Sequence, residues 1–108
     1  WMIADSEMEL RAACLLVYQS AWTAQLGGDL KLATSIAKVT ATETAGRIVD
    51  RCIQIFGGLG VSREMPLERW YRELRIKRIG EGPSEVHRMV IARDLLGPRR
   101  KSENVDAS

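Results

Sequence analysis

A single histidine and two cysteines, Cys14 and Cys52, leave little with which to bind a transition metal. The cysteines are too far apart for a metal clip, and each sits among apolar residues at helical spacing, as buried free thiols do. With no cluster of carboxylate and histidine either, no metal site is expected. Neither sign of charge dominates: 16 Lys and Arg are interspersed with 14 Asp and Glu, for a formal net charge of +2. That field is too weak to argue for nucleic acid or a membrane surface as the main partner. No apolar run approaches the roughly 18 residues that a membrane span needs, and no secretory signal is expected before the fold. Long β-branched alternation is missing as well, which removes the main signal for sheet.

What remains is rich in Ala, Leu, Arg and Glu. At 108 residues it makes one domain at most, and the expected fold is all-α, an antiparallel helical bundle over residues 1–97 with a disordered tail over 98–108. Residue 1 is Trp and falls inside a helical pattern, so the chain is expected to be the tail of a longer, soluble, intracellular protein.

From Met2 to about Leu26, Leu10, Cys14, Val17, Ala21 and Ala24 recur along one helical stripe. Gly27 and Gly28 end that helix and Asp29 is a good N-cap for the next; so short a connection predicts an antiparallel hairpin. The second helix is predicted over Leu30–Phe56, with Leu32, Ile36, Val39, Ile48, Cys52 and Ile55 as apolar markers. Its small-residue middle, Thr40 to Gly46, would let another helix approach closely. The cluster Gly57-Gly58-Leu59-Gly60 stops it, as a Schellman-type cap and turn or as a loop where backbone amides meet a phosphate. It is not the dinucleotide fingerprint, since no strand precedes it and no helix is expected at once after it.

Pro66 suits the first turn of a third helix with Leu67, Tyr71 and Leu74 on one face and Trp70 beside them. Between Arg63 and Arg78, Arg63, Arg69, Arg72, Arg75, Lys77 and Arg78 stand against Glu64, Glu68 and Glu73. A solvated, salt-bridged surface explains them better than a phosphate-rich ligand. For the last helix, Gly82 is expected as N-cap and Pro83 at the first helical position, with Glu85 complementing the positive end and Gly97-Pro98 as terminator. Val86, Met89, Val90 and Leu96 form its expected buried stripe; His87 falls off it, as a surface or hydrogen-bonded residue.

Glu81 lies between two glycines in the loop before that helix, where packing gives a carboxylate little reason to be. A flat ligand could lie against it, and burial under such a ligand would raise its pKa toward that of a general base. A solvated loop carboxylate is the simpler reading of the residue type alone.

Three blocks in order, Gln54-Ile-Phe-Gly-Gly-Leu-Gly60, Pro66-Leu-Glu-Arg-Trp-Tyr-Arg-Glu73 and Arg78-Ile-Gly-Glu-Gly-Pro-Ser-Glu-Val-His-Arg88, resemble the C-terminal domain of the acyl-CoA dehydrogenase family. In pattern the likeness runs from Met2 to Gly97, without the first helix of the family's four-helix bundle. The resemblance implies a flavoprotein oxidoreductase acting on an acyl-CoA, assembled as a homo-oligomer, dimer or tetramer, with FAD shared across subunits. Glu81 then matches the base that takes the α-proton of the thioester while hydride leaves the β-carbon for the flavin. Gly82 lies where a backbone amide meets the thioester carbonyl. Gln54, Ile55, Phe56, Gly57 and Gly58 match the segment that reaches the pyrophosphate and adenosine of the neighbouring subunit's FAD. Pro83, Ser84 and Glu85 match flavin contacts, although many members carry Thr and Gln where this chain has Pro83 and Glu85.

The same resemblance implies an electron-transfer flavoprotein as acceptor; from the charge balance, no nucleic-acid partner is expected. It implies inactivity for this segment alone, because the family's other FAD and acyl-CoA contacts lie in domains not seen here. A bacterial cytoplasm is the expected location, with mitochondrion and peroxisome open. An acyl-CoA oxidase is one alternative, and a non-catalytic helical assembly module is another.

Overall fold

A computed structural model describes residues 1–97. These form five helices: α1 (Met2–Gln25), α2 (Leu30–Phe56), α3 (Gly58–Val61), α4 (Leu67–Lys77) and α5 (Ser84–Leu96), with no strand among the described residues. The all-α expectation is met. The expected tail, 98–108, lies outside the described residues.

The first connection is a Schellman motif. Gly28 N–H donates to the Thr23 carbonyl at 3.0 Å and Gly27 N–H to the Ala24 carbonyl at 3.1 Å, and Gly27 takes φ +72°, which glycine adopts without a Cβ penalty. Asp29 then accepts from Lys31 N–H at 3.0 Å and caps α2. The resulting α1–α2 hairpin is locked near its open end by Arg51, which donates to both carboxylate oxygens of Glu9 at 2.6 and 3.1 Å. Such two-pronged contact fixes register as well as distance. The hydrogen bond from Arg51 holds the Glu9 carboxyl below the usual glutamate range, against the opposing effect of desolvation.

Helix α2 is the hub: α1 packs on it alone, and α4 and α5 each pack on it but not on one another. The core is made of small side chains, chiefly Ala13, Ala37, Val39, Val49 and Leu67, with Ser35, Thr44 and Ser84 buried among them. Thr44 and Ala13 lie in the close α1–α2 contact that the small-residue middle of α2 was expected to permit.

Four expectations need correction. The stripe of α1 that meets α2 runs through Ser6, Glu9, Ala13, Leu16, Ser20 and Thr23, one position round from the predicted one; Leu10 and Val17 are exposed, and so is the Cys14 thiol. On α5, Val86, Met89 and Leu96 are exposed, and the covered side carries Ser84, His87, Ile91 and, of the expected stripe, Val90 alone. Both apolar stripes are wider than the surface α2 can cover. The glycine cluster forms no plain turn: Gly57, at φ +65° and ψ −142°, caps α2 in a glycine-only conformation outside the Schellman geometry, and the one-turn helix α3 follows at once. Lastly, α5 begins at Ser84 with Pro83 as its cap, one residue later than expected.

Candidate active site

The turn between α4 and α5 is built from both sides. At the end of α4, Gly80 N–H bonds back to the Ile76 carbonyl at 2.9 Å; at the start of α5, Ser84 N–H reaches the Arg78 carbonyl at 3.1 Å. Between them Glu81 sits at φ +56° and Gly82 at φ +89°. For glycine this is ordinary. For a glutamate it is a left-handed backbone that costs on the order of 1–3 kcal/mol and persists only where neighbours over-determine it.

Those neighbours come from α2 and α5. Lys38 Nζ donates to the carbonyls of Gly80 at 2.9 Å and Gly82 at 2.7 Å. His87 Nε2 lies 3.1 Å from the Glu81 carbonyl, and His87 Nδ1 lies 3.1 Å from the hydroxyl of buried Ser35. A carbonyl can only accept, so Nε2 carries the proton, and in the neutral ring Ser35 donates to Nδ1. Three consecutive carbonyls are therefore held by side chains, and the Glu81 residue itself is exposed. Among the described residues the amides of Glu81 and Gly82 donate to no protein group, so both are free to meet an incoming oxygen. Farther along α5, Arg88 donates to Glu43 of α2 at 2.8 Å and lowers the pKa of that carboxyl, while desolvation opposes the shift.

The sequence-predicted residues fall into two groups. Glu81, Gly82, Pro83, Ser84 and Glu85 share the α4–α5 turn, next to Lys38. Gln54, Ile55, Phe56, Gly57 and Gly58 lie at the far end of α2, exposed. Gln54 lies sixteen positions along α2 from Lys38, about 24 Å at the rise of an α-helix, so one chain does not bring the two groups together. A Cβ built at Gly57 or Gly58 would meet nothing within 4 Å, which leaves the backbone there open to close approach. Within the first group, Glu85 is exposed and Pro83 half-buried, whereas Ser84 is buried at 3% exposure and presents little surface to a ligand.

Lys38 and Ser35 escape a motif-based reading. Their signal is a polar i, i+3 pair on α2, continued by Thr42, beside the apolar markers Ile36 and Val39. A cleft of about 340 Å³ between α2 and α4, lined by Glu43, Arg47, Asp50, Tyr71, Arg75 and Arg78, excludes Glu81. Two of the basic residues of α4 are salt-bridged as expected, Arg72 to Glu68 and Arg69 to Glu73.

The described residues form an all-α domain with a strained carboxylate on a braced turn, and comparison with known proteins shows its class. The sequence profile of the acyl-CoA dehydrogenase C-terminal domain matches residues 1–96. The chain belongs to the acyl-CoA dehydrogenase family, as its C-terminal domain. It is 50% identical over 95 residues to the (R)-benzylsuccinyl-CoA dehydrogenase of Thauera aromatica, covering 87% of this chain and 23% of that protein. Among solved structures it superposes on butyryl-CoA dehydrogenase from Megasphaera elsdenii with a TM-score of 0.86 and 40% identity, over 88% of this chain and 25% of that one. It also resembles the FAD complex of PigA, with a TM-score of 0.84 and 28% identity, over 87% and 24%. The chain thus spans about a quarter of the length of the relatives it matches. No helix among the described residues is long and apolar enough to cross a membrane, and no group of three or more His, Cys, Asp or Glu among them is placed to hold a metal ion.

Proposed function

We propose that this domain supplies the catalytic base, Glu81, of a flavin-dependent acyl-CoA dehydrogenase. The observation that carries the reading is the strained backbone of Glu81, an exposed carboxylate in a left-handed turn whose flanking carbonyls are all tied down. Strain of that kind collects where a side chain must point at a ligand. Glu81 takes the proton from the α-carbon of an acyl-CoA thioester, and the free amide of Gly82 meets the thioester oxygen as charge builds there. FAD, when bound, supplies the acceptor for the hydride lost from the β-carbon.

The residues present fit that cofactor at one end and only partly at the other. Gln54, Ile55, Phe56, Gly57 and Gly58 are exposed with open backbone, so their amides can approach a diphosphate. Their distance from Glu81 supports a cofactor held by a neighbouring subunit, hence a homo-oligomer. Glu85 and Pro83 would lie near the flavin; buried Ser84 would support the turn from beneath. Electrons then pass to an electron-transfer flavoprotein, whereas direct oxygen uptake by the reduced flavin would mark an acyl-CoA oxidase. The exposed apolar residues Leu10, Val17 and Trp22 favour a second role in assembly, compatible with the first.

In the full-length protein, Glu81→Gln retains FAD but its flavin is no longer bleached by acyl-CoA. Bleaching at the parental rate removes Glu81 from the mechanism and leaves the domain an assembly module.

A further inference from the structure

We propose that Lys38, acting with His87, is a positioning residue that holds Glu81 in its left-handed conformation and so aims the carboxylate. The inference rests on the reading of Glu81 as base. The backbone bonds of the turn, Gly80 N–H to Ile76 and Ser84 N–H to Arg78, both return to the end of α4 and leave the carbonyls of Gly80, Glu81 and Gly82 to side chains. Those side chains are Lys38 of α2 and His87 of α5. A single ammonium spans the two carbonyls that flank Glu81, at 2.9 and 2.7 Å. The imidazole takes the Glu81 carbonyl between them at 3.1 Å and is steadied by Ser35 at its other nitrogen. Three peptide planes in a row are thereby fixed.

Lysine suits the task because its ammonium is a compact donor with three hydrogens, able to serve two acceptors at once. Its full charge also strengthens both bonds. Gly82 completes the arrangement: a Cβ there would lie 2.8 Å from His87 Nε2 and displace the ring from Glu81. Lys38 bonds the carbonyls that flank Glu81 and His87 the Glu81 carbonyl, neither of them its carboxylate, so they act on geometry. Displacing a reacting group by about 1 Å is enough to lower a rate by about 10²-fold.

The test uses the FAD-loaded full-length protein. Lys38→Met is expected to keep its FAD and bind acyl-CoA with near-parental Kd, while the rate constants for flavin bleaching and for solvent-deuterium exchange of the thioester α-proton fall about 10²-fold. Hydrogen exchange at the Gly80 and Ser84 amides, a readout independent of the flavin, rises in the same variant. Against a Glu81→Gln background Lys38→Met adds no further loss of α-proton exchange, because the two act as a unit.

Parental bleaching in Lys38→Met, or a full further loss in the double variant, overturns the proposal while leaving Glu81 as base. Parental bleaching in Glu81→Gln overturns the underlying reading, whatever Lys38 does. Should Lys38→Met lose FAD, the His87 pair decides. His87→Gln keeps an N–H donor within reach of the Glu81 carbonyl and retains more α-proton exchange than His87→Ala; equal exchange in the two overturns the brace.

Discussion

Glutamate at φ +56° is the most informative feature of the chain. A solvated loop carboxylate would relax to a common backbone conformation, because nothing offsets the left-handed penalty in water. Here Lys38 and His87 offset it, and Gly82 makes room for the ring that does so. Gly82→Ala should therefore destabilise the domain by about 1–2 kcal/mol from backbone strain alone, and more once His87 is pushed away. Gly58→Ala, at a position with no atom within 4 Å of a Cβ, should change the denaturation midpoint little. Equal midpoints for the two variants would mean that the turn is not held as described. The glycines around Glu81 advertised this site in the sequence. Its strain and its brace were not legible, because a φ value is set by partners 43 and 6 residues away, and one of them, Lys38, looks in sequence like any helix-surface lysine.

Helices were far more legible than their contacts. The limits of α2 follow from Asp29 and Gly57, and the α1–α2 hairpin follows from Gly27 and Gly28, since caps are local chemistry. Which stripe of α1 is covered was misjudged, because its best apolar period passes through Leu10 and Val17 while the contact is anchored by Glu9 on Arg51. Ion pairing has no periodicity to read. Because the Glu9 carboxyl has a lowered pKa in the folded chain, its contribution to stability is fully present above the ordinary glutamate range, near pH 4.3, and is lost as pH falls through the folded value. Glu9→Gln should lose less stability than the parent between about pH 5 and pH 3; parallel acid limbs would show that the pair does not matter.

The glycine cluster gives a second test of this kind. Gly60 is buried in α3, and a Cβ there would lie 2.8 Å from the Ile53 carbonyl oxygen and 3.0 Å from its Cα. Backbone cannot yield as a side-chain tip can, so Gly60→Ala should cost about 1–3 kcal/mol, read as a lower urea midpoint. An unchanged midpoint would indicate that α3 does not pack against the end of α2.

Across the whole molecule, apolar side chains stay open to solvent in two places. Apolar residues run along the open side of the α1–α2 hairpin, through Leu10, Cys14, Val17 and Tyr18, beside Ala41 and Ala45, and a second set lies open on α5 at Val86, Met89 and Leu96. Surfaces of this extent are normally covered by protein, and the relatives are about four times as long as this chain. Periodicity therefore overestimates burial in this chain, because α2 alone covers only part of the apolar pattern. Under the function proposed above, the two groups of predicted site residues, at opposite ends of α2, serve one chemistry only if different copies contribute them.

The decisive measurement is a structure of the full-length protein with FAD and a non-reactive acyl-CoA thioester. The Glu81 carboxylate should stand within about 3 Å of the position of the α-proton it removes, with Lys38 still bridging Gly80 and Gly82. A Glu81 carboxylate facing bulk water, remote from both thioester and flavin, would contradict the account.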